Sequence, residues 1–299
     1  MSAPITIRPY RPGDEESLLK GHNQIFPERS LAHWQWKFGN NPTGQIHTMV
    51  ADHAEEGVVG AYVTLPVHAS IEGERRIIGQ CVDLWVLPQH RRFGPRPGLF
   101  VNLALAHYEE WGGKGENKNS FHHGWPIATW RIGQKYLKYE IGRDWDFLFR
   151  EMTPGGFPKR ETSDELEVRK VDRFDADVDG LWAEFSKETQ LAVIRDQRYL
   201  NWRYADSVDS SYELYECRET SSNKLRGIAV VAQRDFVIPN TCFLVDWMVP
   251  QHPRFLEFQK MGFLVYGTIY FQVVIPFDKH DTHFYKEQWY HTLGDSDLI

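Results

Sequence analysis

The feature that most restricts what this chain can fold into is that its second half echoes its first. Trp36-Lys37-Phe38 returns 166 positions later as Trp202-Arg203-Tyr204, and Val59-Gly60-Ala61 returns as Arg226-Gly227-Ile228. The longest echo pairs Val82-Asp83-Leu84-Trp85-Val86-Leu87-Pro88-Gln89-His90-Arg91-Arg92-Phe93 with Val245-Asp246-Trp247-Met248-Val249-Pro250-Gln251-His252-Pro253-Arg254-Phe255, which is one residue shorter. Three matches in one order at nearly one spacing predict two copies of one folding plan. The 299 residues are enough for two domains of ordinary size. The breaker Thr153-Pro154-Gly155-Gly156-Phe157-Pro158 and the charged run to Glu165 read as the connection between them. The expected division is therefore 1–154, a linker at 155–165, and 166–299.

The copies diverge where the chemistry is expected. In the first, the apolar run Val82, Leu84, Trp85, Val86 and Leu87 reads as a buried strand that Pro88 stops. A basic glycine-bearing turn follows, His90-Arg91-Arg92-Phe93-Gly94-Pro95-Arg96-Pro97-Gly98. A helix comes next, with Phe100, Leu103, Ala104, His107 and Trp111 on one face and Gly112 placed as its C-terminal cap. Strand, cationic glycine turn and helix form an arrangement that binds phosphates, because free amides at a helix N-terminus point at an anion and arginines add charge-assisted hydrogen bonds. The second copy lacks the glycine turn and the long helix. It runs from Phe255 through Glu257–Met261 to Gly262-Phe263 and a strand-like stretch, so the amide cradle is lost there.

Elsewhere in the first half, Ile5–Arg8 reads as an opening strand and Pro12-Gly13-Asp14 as a turn into a helix near 14–26. A second helix is predicted over 28–38, before the Gly39-Asn40-Asn41-Pro42 breaker. Strands at 47–52, 58–69 and 75–87, joined by Glu55-Glu56-Gly57 and Glu72-Gly73-Glu74, form an antiparallel meander. A surface loop at 112–119, a strand at 121–125, a helix at 129–139 and a strand at 145–149 complete the reading. The fold class is thus α/β, of the α+β mixed-sheet kind.

Composition narrows the function. A net charge of −7 argues against a general nucleic-acid or anionic-membrane binder, yet leaves room for one local basic patch at residues 90–96. The 11 Trp, 13 Tyr and 18 Phe supply thick cores or an apolar cleft. Three cysteines, Cys81, Cys217 and Cys242, lack metal-site spacing and predict reduced thiols in a cytoplasmic protein with no zinc centre. MSAPITIRPY carries no signal-peptide pattern, and the apolar stretch 264–277 is too short to span a membrane.

The run Val86-x-Pro88-x-His90-Arg91-x-x-Gly94 resembles the pyrophosphate loop of the GNAT (Gcn5-related N-acetyltransferase) superfamily, in which Arg or Gln is followed by two residues, Gly, one residue, and Gly or Ala. Arg91 and Gly94 match. Arg96 stands at the third position, and Pro95 and Pro97 each remove an amide donor. Arg11-Pro12-Gly13-Asp14 resembles that family's opening. Trp289-Tyr290-His291-Thr292-Leu293-Gly294-Asp295-Ser296-Asp297 resembles the ending of bacterial tandem members. The resemblance implies two tandem GNAT-like domains, the second degenerate in its phosphate loop. It further implies an acyl-CoA donor, with acetyl-CoA foremost, held by the first domain. Arg91, Arg92, Phe93, Gly94, Arg96 and Gly98 would hold the phosphates, and the Trp85-Val86 backbone would hold the pantetheine arm.

Acyl transfer to an amine needs a base for the ammonium proton and an acid for the thiolate. The family often places its base on the strand before the phosphate loop, where Asp83 sits; its repeat partner Asp246 equally favours a structural role for both. One of His122 and His123 is a second candidate base, since adjacent strand residues face opposite sides; His123 is the one retained. The family's acid is a helix tyrosine four residues before the Gly of a Gly-Phe pair. Leu137-Lys138-Tyr139 fits that pair with Lys138 in place of Gly, which puts Gln134 at the tyrosine position and leaves Tyr136 as the nearest phenol. The resulting expectation is an N-acyltransferase acting on a small-molecule or sugar amine, without a metal, with no nucleic-acid or membrane partner, as a monomer or homodimer. An aminoacyl-tRNA-dependent transferase and a non-catalytic GNAT-fold binding protein are the alternatives.

Overall fold

The opening strand β1 (Ile5–Pro9) pairs antiparallel with β2 (His47–His53), and Arg8 fixes the corner by bridging Asp14 at 2.7 Å and Asp52 at 2.9 Å. The structure is a computed structural model that describes residues 4–92, 97–125, 130–149, 165–234, 241–250 and 264–276. Helix α1 (Glu15–His22) ends well short of residue 26. Asn23 is the reason: its side-chain amide both donates to and accepts from the Arg29 backbone at 3.1 Å, which closes 23–29 as a loop. The second helix starts later than expected because Ser30 caps it, accepting from the His33 amide at 3.1 Å. That helix, α2 (Leu31–Trp34), widens into a π-helical turn over Gln35–Gly39, where the Asn40 amide reaches back to the Gln35 carbonyl at 2.8 Å.

Strands β3 (Gly57–Ile71) and β4 (Glu74–Val86) complete the meander, and α3 (Leu99–Trp111) follows the turn. Next come β5 (Asn119–Gly124), α4 (Trp130–Tyr136) and β6 (Glu140–Phe149), the last five residues longer at its start than expected. The sequence continues through β7 (Leu166–Val171), α5 (Asp177–Phe185), β8 (Leu191–Val193) and α6 (Gln197–Leu200). It then forms β9 (Glu213–Glu219), β10 (Leu225–Arg234), β11 (Thr241–Met248) and β12 (Leu264–Pro276). Among the described residues no helix is long and apolar enough to cross a membrane.

The chain divides into two compact units. Among the described residues the first draws on the chain up to Ala69, on Glu74–Trp145 and on 268–276; the second draws on Ser70–Gly73 and on those within Asp146–Gly267. Division in space therefore does not follow chain order. In the first unit the sheet runs β1-β2-β3-β4-β5-β12-β6, with β4 and β5 parallel and β12 antiparallel to β5 through the Val273–Gly124 to Pro276–Phe121 rungs. Its core holds Val50, Ala51, Val59, Tyr62, Ile78, Leu103 and Phe121, all fully buried. The second unit has a sheet of order β11-β10-β9-β7 around Phe174, Val178, Leu181, Leu200, Ile228, Val230 and Met248.

The sequence echoes fall on like structures. Helix α6 also widens into a π turn, Asn201–Ala205, with the Asp206 amide on the Asn201 carbonyl at 2.9 Å. Asp196 caps α6 through the Tyr199 amide at 2.8 Å, as Ser30 caps α2. A Cβ on Gly60 would meet Val86 Cγ2 at 3.0 Å, and one on Gly227 would meet Val249 Cγ2 at 2.8 Å. Both glycines are therefore set by close approach of the neighbouring strand.

Candidate functional site

The parallel rungs between β4 and β5 end at Gln80–His123, yet β4 runs on to Val86. Cys81–Val86 thus extends past the described β4–β5 ladder: β5 ends at Gly124, which still lies against Cys81, and β4 outlasts it. From Asp83 onward its side chains alternate, while Cys81, before the positive φ of Asp83, lies on the α3 face with Tyr62. Val86 faces α3, lying with Leu103 against the space over Gly60. Trp85 faces α1, where a Cβ on Gly21 would collide with its ring at 2.1 Å; glycine is required there. Asp83 shares the Trp85 face.

Beyond the strand, the Leu87 amide donates to the Val59 carbonyl at 2.9 Å and Pro88–His90 forms a single 3₁₀ turn. The buried His90 ring anchors this turn on Glu56 at 3.1 Å. Arg91 Nε donates to the Val86 carbonyl at 3.2 Å, and both Arg91 and Arg92 are exposed. Gly98 precedes α3 at φ +123°, and a Cβ there would press on the Arg91 carbonyl at 3.0 Å. Helix geometry leaves the first-turn amides of α3 without intrahelical acceptors. Exposed cations and a helix N-terminus are thereby gathered at the end of β4. Phe93, Gly94 and Arg96 lie outside the described residues.

Asp83 is held as an anion. Arg29 Nη1 lies 2.6 Å and Lys37 Nζ 2.7 Å from Oδ2, with His22 Nε2 at 3.8 Å from Oδ1. Burial works to raise its carboxyl, but the contact with His22 and the charges of Lys37 and Arg29 outweigh it. The carboxyl is held far below the usual carboxylate range. A carboxylate so well satisfied has little affinity for a further proton.

The two adjacent histidines face opposite sides, as the strand period requires. His122 packs on α3, its ring 5.0 Å from His107 and 5.4 Å from Tyr108; His123 lies on the other face beside Phe121. Burial pulls both imidazoles down, His123 to about 4, so both are neutral at neutral pH. His123 sits on the last parallel rung, on the Asp83 side of the sheet.

Tyr136 is 43% exposed on α4, with Lys135 Nζ 5.1 Å from its ring, and Gln134 is exposed as well. The phenol that points inward is Tyr139. A Cβ on Gly133 would strike the Tyr139 ring at 2.1 Å, so that glycine makes its seat. Lys138, at the place where the resemblance expects Gly, takes φ +57°. Tyr139 joins Tyr62 at 2.8 Å; Tyr62 also reaches Tyr108 at 3.0 Å and Cys81 Sγ at 3.7 Å. Burial pushes the Cys81 thiol up to about 12 and all three phenols above their ordinary value, so this cluster stays protonated. Sequence reasoning missed Tyr62 and Tyr108; only the packing of α3 and of the chain after α4 on β3 brings together residues 46 and 77 positions apart. Among the described residues no group of three His, Cys, Asp or Glu side chains could hold a metal.

No family model matches the chain, and no curated protein matches it. Solved structures do. A GCN5-related N-acetyltransferase from Anabaena variabilis is 13% identical over 91% of this chain and 72% of its own, with a TM-score of 0.61. One from Kribbella flavida is 14% identical over 91% and 71%, with a TM-score of 0.58. A conserved protein of unknown function from Enterococcus faecalis is 13% identical over 83% of this chain, with a TM-score of 0.55; the chain spans 59% of that protein's length. The chain has the GNAT fold.

Proposed function

We propose that this chain, which has the fold of the GCN5-related N-acetyltransferases, is an acyl-CoA-dependent N-acyltransferase whose donor enters where β4 outlasts β5. The observation that carries the reading is the termination of the parallel ladder at Gln80–His123, directly before a strand extension that leads into an arginine turn and a helix N-terminus. Carbonyls and amides of Cys81–Val86 offer an extended edge for an amide-bearing pantetheine arm, as an added strand would be bound. Arg91, Arg92 and the α3 amides suit a pyrophosphate. Acetyl-CoA is the donor of choice, and the acceptor is a small-molecule or sugar amine. The second unit is read as a copy of the same plan that serves the acceptor side. The action is assigned to the cytoplasm.

In this reading His123, neutral and on the last paired rung, passes the ammonium proton on to water and does not keep it, since burial holds its imidazole at about 4; Asp83, already saturated with cations, is not asked to. The departing thiolate takes its proton from the tyrosine cluster, for which Tyr139 is better seated than the exposed Tyr136. A donor bound only by the folded protein raises the melting temperature by mass action. Titration with acetyl-CoA and CoA is expected to raise it in the wild type and much less in Arg92→Glu, a surface change that leaves the fold alone. No shift with any acyl-CoA would sink the reading.

A further inference from the structure

Among the described residues, Asp83 is the only non-glycine residue inside a strand with a left-handed backbone, at φ +52°. An L side chain disfavours that region, and such a residue persists only where its surroundings over-determine it. Here the surroundings are specific. Arg29 from the α1–α2 loop and Lys37 from the π turn close on one carboxylate oxygen at 2.6 and 2.7 Å, while His22 from α1 approaches the other at 3.8 Å. The Asp83 side chain is only 13% exposed. The kink falls three residues past the last β4–β5 rung and two before Trp85.

We infer that Asp83 is a positioning residue: the cationic grip of Arg29 and Lys37 holds β4 in a kink that aims the Cys81–Val86 edge away from β5 and keeps the donor groove open. The inference rests on the acyl-CoA reading above for its consequence, and on the kink itself for its cause. Released from the grip, residue 83 returns to ordinary extended φ and the edge of β4 swings out of register with the groove. The carboxylate touches neither donor nor acceptor and acts only through the backbone.

Replacement by two small residues separates these ideas. Glycine takes φ +52° without strain, alanine does not, and both remove the carboxylate. Acetyl-CoA affinity, measured calorimetrically, is expected to fall about tenfold in Asp83→Ala, the scale of a left-handed penalty, and no more than about threefold in Asp83→Gly. A purely structural role predicts equal loss of stability in both with equal donor affinity, and that result would overturn the inference. Should Asp83→Ala fail to fold, Lys37→Gln, which leaves Arg29 in place, is expected to weaken acetyl-CoA by about threefold, with the double change Lys37→Gln, Asp83→Gly no weaker. Amide hydrogen exchange of residues 81–86, followed without ligand, distinguishes the two layers. If the wild type binds no acyl-CoA, the acyl-CoA reading fails alone. Exchange in this stretch that is unchanged in both Asp83→Ala and Lys37→Gln overturns the positioning role.

Discussion

The first unit's Asp83 and the second unit's Asp246 hold matching places in the two longest echoing stretches of sequence, and they are partnered in two ways. Asp83 is neutralised by two cations, Arg29 and Lys37. Asp246 has one, Arg195 at 3.3 Å, whose repeat position is that of Arg29; its second partner is the Tyr204 hydroxyl at 2.8 Å, and its own Oδ1 accepts from the Trp247 amide at 2.7 Å. Arg203, the counterpart of Lys37, has turned away to lie over the Tyr204 and Tyr212 rings. Strand irregularity persists in both: Asp83 sits at positive φ, while β10 and β11 slip register between Val230 and Val231, which leaves Val245 as an extra residue. A repeated aspartate thus marks a repeated strand defect, and the partners it recruits differ with what each unit does next. In the first unit β4 leads to an arginine turn and α3, the stretch proposed above to take the donor.

The largest expected contrast between the units is in acid. His47, His107 and His122 lie buried in the first unit, pulled down by burial, His47 to about 4 and His107 to about 3. The described part of the second unit contains no histidine. A folded pKa below the unfolded one means that the unfolded chain binds more protons. Stability is full above about 6.5 and is lost as pH falls through the window from there to about 4 or 3, at roughly 3 kcal/mol for His47 and roughly 5 kcal/mol for His107, with His122 acting in the same direction. Hydrogen exchange at pH 7 and pH 4 should show the first unit opening and the second moved much less, since its ion-paired Glu184, Glu213 and Glu219 lie at the surface; equal loss in both would break the contrast.

Next in size, Asp83→Ala should destabilise the first unit by about 2–3 kcal/mol in urea titration, because it removes the carboxylate that two half-buried cations share. Asp246→Ala leaves one cation and a phenol, and about half that loss is expected. A smaller difference separates the two close glycines. Gly60→Ala presses on the Trp85 carbonyl at 3.2 Å as well as on side chains, for a loss of about 1–3 kcal/mol; Gly227→Ala meets backbone only at 3.5 Å and should lose less. The smallest change is a gain. Lys138→Gly removes the left-handed penalty at φ +57° and should stabilise the first unit by about 1 kcal/mol, read as a rise in its unfolding midpoint alone.

Much of the first unit was legible because its signals are local. The meander, the helix after the glycine turn and the strand bearing His122 and His123 follow from apolar periodicity and from Gly and Pro breaks. The echo Trp36-Lys37-Phe38 marked a turn that recurs, although residue order does not betray its π geometry, which depends on one extra residue per hydrogen-bonded ring. Spacing on a helix points to Tyr136; Tyr139, three positions on, is the inward-facing phenol, and Lys138 before it takes a left-handed conformation. Asp83 drew notice as a carboxylate among apolar neighbours. Its partners Arg29 and Lys37 did not, since they come from a loop and a turn that only the packing of α1 and α2 on the sheet brings near.

The sequence by itself determined the fold class and the order of strand, basic turn and helix, because alternation, helical period and breaker residues act over a few positions. Tertiary structure alone decided that Asp83 is an ion-paired anion, that three tyrosines and Cys81 meet, and that β12, late in the chain, joins the sheet of the first unit between β5 and β6. Those outcomes depend on desolvation and on charges and hydroxyls contributed from distant positions, which are quantities that exist only after the chain has closed on itself.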